Sequence, residues 1–124
     1  MAETPDLNGA YPRLSDPQIA ALSALGQRRP AQPEEILFAE GDRNCDFFVV
    51  LGGLVAVVEG RGTPEERVIS VHGCGRFLGE LGLLTGEASY YSAVPVEAGE
   101  VLAVPADRLR ELVAQDPALG DLIL

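Results

Sequence analysis

Apolar residues follow two rhythms along the chain. Between Glu34 and Pro105 they come in short runs of Val, Ile, Leu and Phe broken by Gly, Pro and charged residues, while at both ends they recur at helical spacing. The central pattern predicts strands at 36–39, 47–51, 54–59, 67–71, 90–96 and 101–104. Gly41-Asp42 reads as a tight turn, Gly52-Gly53 as a hairpin corner, and 60–66 and 97–100 as turn-rich connections. Short strands at regular spacing favour a sandwich or barrel over alternating helices and strands. Phe47, Phe48 and Phe77 are read as core packing rather than base-stacking groups.

The flanking segments read as helices behind a loose start. Residues 1–14, rich in Pro, Asn and Gly, predict a flexible leader, and the domain proper runs over 15–124. Ser15 is placed as an N-cap with Gln18 three residues on, Pro17 in the first turn and Leu14 positioned to pack against Ile19. Ile19, Leu22 and Leu25 share a face, and Gly26 ends that helix. Towards the C-terminus, Leu109, Leu112 and Val113 form one stripe, and Asp116-Pro117 opens a last helix carrying Leu119, Leu122 and Ile123. The chain ends on Asp121-Leu122-Ile123-Leu124 without a cap, so the sequence is expected to continue in a longer protein.

Composition narrows the function classes. At 124 residues and 47% apolar content the chain is one globular domain. No run of about 18 apolar residues exists and the first six residues have no signal-like pattern, so a cytoplasmic location without a membrane partner is expected. Nineteen acidic residues against nine arginines, with no lysine, give a net charge of −10. Duplex DNA is therefore not an expected partner, since phosphate backbones are bound by excess Lys and Arg. An anionic ligand needs a local cation for the same reason. Cys45 and Cys74 lie far apart and His72 is alone, so neither a zinc site nor a nucleophilic triad is assembled, and no catalytic residue or metal ligand is expected. His72 is read as hydrogen-bonded at a strand end and Cys74 as a small turn residue between two glycines.

The chemistry that does emerge centres on R-F-L-G-E-L-G-L-L-T-G-E-A-S-Y-Y-S-A-V, from Arg76 to Val94. A strand end breaks at Gly79 and a short helical turn opens at 80–84. Free N–H groups at such a turn, approached closely through glycine, favour an anion. Upstream, E-G-D-R-N-C-D-F-F-V-V-L-G-G-L-V-A-V runs from Glu40 to Val57. Together the two segments resemble the cyclic-nucleotide-binding domain family, over Ser15 to Leu124. The resemblance implies an antiparallel jelly-roll β-barrel with flanking helices. It also implies a pocket in which a cyclic nucleotide's phosphate meets the Gly79 turn and its ribose hydroxyl meets Glu80. If a ligand binds, chemistry gives Gly79, Leu81 and Gly82 as backbone N–H donors and Ser89 and Ser92 as donors of single hydrogen bonds.

In that family an arginine after the short helix pairs with the cyclic phosphate, and its position falls on Ser89 here. A hydroxyl in place of that fork-shaped cation forfeits about 1.5 to 3 kcal/mol, or roughly 10- to 150-fold in affinity. The phosphate site is accordingly expected to be degenerate. Arg76, read as a solvent-facing strand-end residue, is the nearest replacement cation. Strand alternation puts one of Tyr90 and Tyr91 inside, where its ring could fill the pocket.

A finer resemblance rests on D-F-F-V-V-L, E-E-R-V-I-S-V-H-G, R-F-L-G-E-L-G-L-L-T-G and L-R-E-L-V-A-Q-D-P-A-L-G-D-L-I-L. These runs look like the N-terminal module of bacterial thioredoxin-reductase-like flavoproteins. That implies a regulatory or docking module, not itself an enzyme, attached to a downstream FAD- and NADP-dependent oxidoreductase domain whose dinucleotide fingerprints are not in this sequence. The alternatives are a working sensor of a cyclic nucleotide or related phosphate ligand and, third, a small cupin-like enzyme, for which one histidine supplies too few ligands. A homodimer is compatible with any of these.

Overall fold

A computed structural model of the chain describes residues 1–43, 45–80 and 86–123. Five strands form one antiparallel sheet: β1 (Gln27–Ala31), β2 (Phe47–Glu59), β3 (Arg67–His72), β4 (Phe77–Leu78) and β5 (Ser92–Val104). Helix α1 (Asp16–Ser23) precedes it, and α2 (Ala106–Gln115) and α3 (Pro117–Ile123) follow. The hydrogen-bonded path runs β1-β5-β2-β3, with β4 on β2, and does not close on itself among the described residues. This is the mainly β, helix-flanked antiparallel architecture anticipated from the strand rhythm, laid out as an open sheet. No described helix is long and apolar enough to cross a membrane.

Two expected corners are absent. The runs 47–51 and 54–59 are one continuous strand, and so are 92–96 and 101–104, because the residues between them pair with each other instead of turning. Gly52 faces Glu100 and Leu54 faces Glu97, with register shifts on either side that bend the two strands together. Glycine is what allows that approach. A Cβ on Gly53, at φ +75°, would stand 2.6 Å from the Glu97 carbonyl oxygen. Sequence rhythm cannot distinguish such a paired bulge from two hairpin turns.

Strand β1 was not among the predicted strands, and its Arg28-Arg29-Pro30 follows shortly after the end of α1. It is an edge strand antiparallel to β5, with Gln27 opposite Ala103, which is where a proline is tolerated. Conversely, the predicted strand at 36–39 is reduced to one bridge between Phe38 and Ala93.

Alternation along β2 and β5 builds two apolar layers. Phe47, Val49, Leu102 and Val104 face a cluster made with Leu14, Leu22, Leu109, Leu119 and Ile123, so all three helices cover this face. Phe48, Val50, Val55, Val57 and Val101 face a second cluster with Phe38, Leu78 and Ala93. The N-cap of α1 forms as anticipated: the Gln18 amide donates to Ser15 Oγ, and the Ser15 amide donates to Gln18 Oε1. Leu14 and Ile19 both enter the helix-covered cluster.

Residues 1–14 carry no helix or strand, yet they are tied down. The Thr4 amide donates to the Val71 carbonyl at 2.9 Å, and the Val71 amide donates to Thr4 Oγ1 at 2.8 Å. The Leu14 amide donates to Gly75 at 2.8 Å. The expected loose leader is thus an arm lying along the end of β3.

Candidate ligand pocket

Strand β4 delivers the chain to Gly79 by pairing Leu78 with Phe48 and Phe77 with Val49. Gly79 adopts φ +92°, and a Cβ there would stand 2.7 Å from the Asp46 carbonyl oxygen. The glycine is therefore demanded by the neighbouring backbone itself. Glu80, the next residue, lines a cavity of about 200 Å³. Leu81, Gly82 and the helical turn expected at 80–84 lie in or run into residues outside the described ones.

Five other side chains with polar atoms share the wall with Glu80: Tyr11 from the arm, Ser70 and His72 from β3, Arg76, and Tyr91. His72 Nε2 and Ser70 Oγ are 2.8 Å apart, and the Tyr11 ring meets the imidazole edge-on at 4.9 Å. Burial, helped by the positive charge of Arg76, lowers the His72 pKa to about 4, so the ring is neutral at physiological pH. Burial also raises the Glu80 pKa, opposed by a hydrogen bond from its own backbone N–H. The Tyr91 phenol is pushed up by burial first and by the Glu80 charge second.

Arg76 corrects the expectation most sharply. It is 2% exposed, not solvent-facing. Its Nη1 donates to the Val71 carbonyl at 3.3 Å, its guanidinium carbon sits 5.3 Å from the Tyr11 ring centroid, and its Nε lies 3.8 Å from Glu3 Oε2, beyond hydrogen-bond reach. Among the described residues, the buried side-chain atoms without a hydrogen-bond partner are Arg76 Nε, His72 Nδ1 and Glu80 Oε2. All three belong to residues on the wall of this cavity.

The two serines expected to donate to a ligand are otherwise engaged. Ser89 Oγ donates to the Tyr91 carbonyl at 2.6 Å, while its backbone exchanges hydrogen bonds with Gly41 and Asp42. Ser92 is buried and its Oγ accepts from the Glu40 amide at 3.2 Å. Neither lines the cavity. Tyr90 points out, with its hydroxyl donating to Glu87, and Tyr91 points in, both in the bend just before β5 rather than on the predicted strand pleat. Among the described residues no group of His, Cys, Asp and Glu is arranged to hold a metal ion. Cys45 and Cys74 are free thiols.

A model of the cyclic nucleotide-binding domain matches residues 28–116. The chain belongs to that family. Among solved structures it is similar to the Thermus thermophilus catabolite activator protein, at 25% identity and TM-score 0.76 over 89% of this chain and 52% of that one. A structure from a study of a cyclic-GMP-dependent signalling pathway in bacterial phytopathogenesis matches at 25% identity and TM-score 0.71, covering 90% of this chain and 88% of the other. The regulatory domain of Toxoplasma gondii PKA, solved with cAMP, shares the fold at 23% identity and TM-score 0.67, over 79% and 37% of the two chains. No curated protein sequence matches. The chain spans about half the length of the catabolite activator protein and of the next two similar structures.

The domain has the fold of cyclic-nucleotide-binding regulatory domains. Of the polar groups brought together at the cavity, sequence reading had singled out Glu80 and had weighed Arg76 and Tyr91. The Ser70 and His72 pair could have been found from strand period, since residues two apart share a face. Nothing in the sequence announces Tyr11.

Proposed function

We propose that this chain is a regulatory or docking module in which the cyclic-phosphate cradle of the family has lost its function, working as the N-terminal part of a longer protein. The observation that carries the reading is the pair Ser89 and Tyr91: the residue counted to the phosphate-pairing position has no charge and spends its hydroxyl on the main chain, and the neighbouring tyrosine turns into the cavity. Size supports it. A cavity of about 200 Å³ falls below the roughly 300 to 1,000 Å³ of pockets that enclose drug-sized ligands. The net charge of −10 further disfavours an anion without a dedicated cation.

For the longer protein we favour a thioredoxin-reductase-like flavoprotein, on the motif resemblance alone, with FAD and NADP held by the downstream domains. Reading the source gene beyond the codon for Leu124 tests this part. A following dinucleotide-binding fingerprint supports it, and an immediate stop codon removes it.

Titration calorimetry of the chain with cyclic AMP and cyclic GMP tests the pocket. The expected result is no binding in the micromolar range, and saturable micromolar binding of either nucleotide overturns the reading.

A further inference from the structure

The cavity carries a cation that the family comparison does not call for. Arg76 is buried, lines the cavity, and has one N–H without a partner. His72 adds a second. When Ser70 donates to Nε2, the neutral imidazole carries its proton on Nδ1, a buried donor that also lacks a partner. Leaving such donors unpaired is costly in a folded protein, so the pair points to an acceptor that the described residues do not place against them.

An anion from the arm lies close to Arg76 Nε. Glu3 Oε2 is 3.8 Å away, accepts from the Gly73 amide at 2.7 Å, and belongs to a carboxylate paired with Arg13. The Arg13 hydrogen bond lowers the Glu3 pKa and keeps it ionised. Tyr11, eight residues on, covers Arg76 and His72 with one ring. The arm's anchors are exposed or half-buried, and such contacts contribute little each, so the arm can leave without unfolding the sheet.

We propose that the cavity binds a small phosphate ester through Arg76 and His72, and that residues 3–11 are a displaceable cover in which Glu3 competes with the ligand for Arg76. The proposal rests on the reading that the Ser89 position supplies no cation. A phosphate suits the site better than a carboxylate because its three acceptor oxygens can reach donors on two residues.

The test uses the full chain and ribose 5-phosphate, with ribose as the uncharged control. Binding is read by calorimetry, and hydrogen exchange at the Val71 and Gly73 amides, which donate to Thr4 and Glu3, reads the arm. Ribose 5-phosphate is expected to bind the wild type and to expose both amides to exchange. Glu3→Gln should tighten binding by roughly threefold to tenfold, the worth of one half-exposed ion pair with its hydrogen bonds. Gly73→Ala should act in the same direction, because a Cβ at Gly73 would overlap the Glu3 carboxylate. Arg76→Lys, which keeps the charge and loses the fork, should weaken binding about tenfold.

No binding to folded Glu3→Gln, equal binding of ribose, or binding with both amides still protected would each overturn the proposal. The lost-cradle reading fails on a different result, micromolar binding of cyclic AMP or cyclic GMP by the wild type.

Discussion

Ser89 Oγ donates to the carbonyl of Tyr91 at 2.6 Å, two residues along the same chain. This contact removes the hydroxyl of Ser89 from any ligand and accompanies a backbone course that turns the Tyr91 ring into the cavity. Restoring the charge alone is therefore expected to do little. Ser89→Arg should leave cyclic AMP binding undetected, and Ser89→Arg combined with Tyr91→Ala should recover about 1.5 to 3 kcal/mol of binding through a charge-assisted pair. Calorimetry on the two variants checks this, and full recovery by Ser89→Arg alone would show that Tyr91 is no obstacle.

Much of this architecture was legible in the residues. The N-cap at Ser15 and the stripe of Leu109, Leu112 and Val113 follow from local spacing, because each is decided within one helical turn. What was not legible depends on partners distant in sequence. Gly52 and Gly53 look like a corner until Glu97 and Glu100 are known to lie opposite. Arg76 looks exposed until the arm, more than 60 positions upstream, is seen to lay Tyr11 over its guanidinium. A charged side chain beside two glycines carries no local sign of burial.

Gly79 should tolerate no side chain, for a reason independent of ligand. With φ +92° and the Asp46 carbonyl oxygen 2.7 Å from the site of a Cβ, Gly79→Ala has to strain its own backbone and push the start of β2. A loss of about 1 to 3 kcal/mol is expected in urea unfolding. Gly86, also at positive φ but with nothing within 4 Å of a Cβ, provides the comparison. Gly86→Ala should cost less, and equal losses would mean that contact with Asp46 adds nothing to backbone strain.

The chain's net charge of −10 predicts no saturable binding to duplex DNA at physiological salt. Retardation of one DNA sequence over others in a gel at that salt would contradict it.

Acid should weaken the fold through His72. Its pKa falls from 6.5 to about 4 on folding, mainly because burial penalises the imidazolium, so between these values the unfolded chain binds more protons than the native one. Stability therefore rises with pH across that window and is lost on acidification. The loss is about 2 kcal/mol on going from about pH 7.5 to about pH 5, out of roughly 3 kcal/mol in all. Glu80 has the opposite sign, since its raised pKa gives stability that is present below 4.5 and fades as pH rises through the folded value. Glu3, lowered chiefly by its hydrogen bond to Arg13, loses its contribution only as pH falls below 4.5 and so stays out of the comparison. Urea midpoints of wild type and His72→Leu at the two pH values separate these effects. The variant is expected to lack the His72 part of the acid slope, whatever it loses at neutral pH with the Ser70 contact, and an unchanged slope would mean that His72 is protonated in the native state.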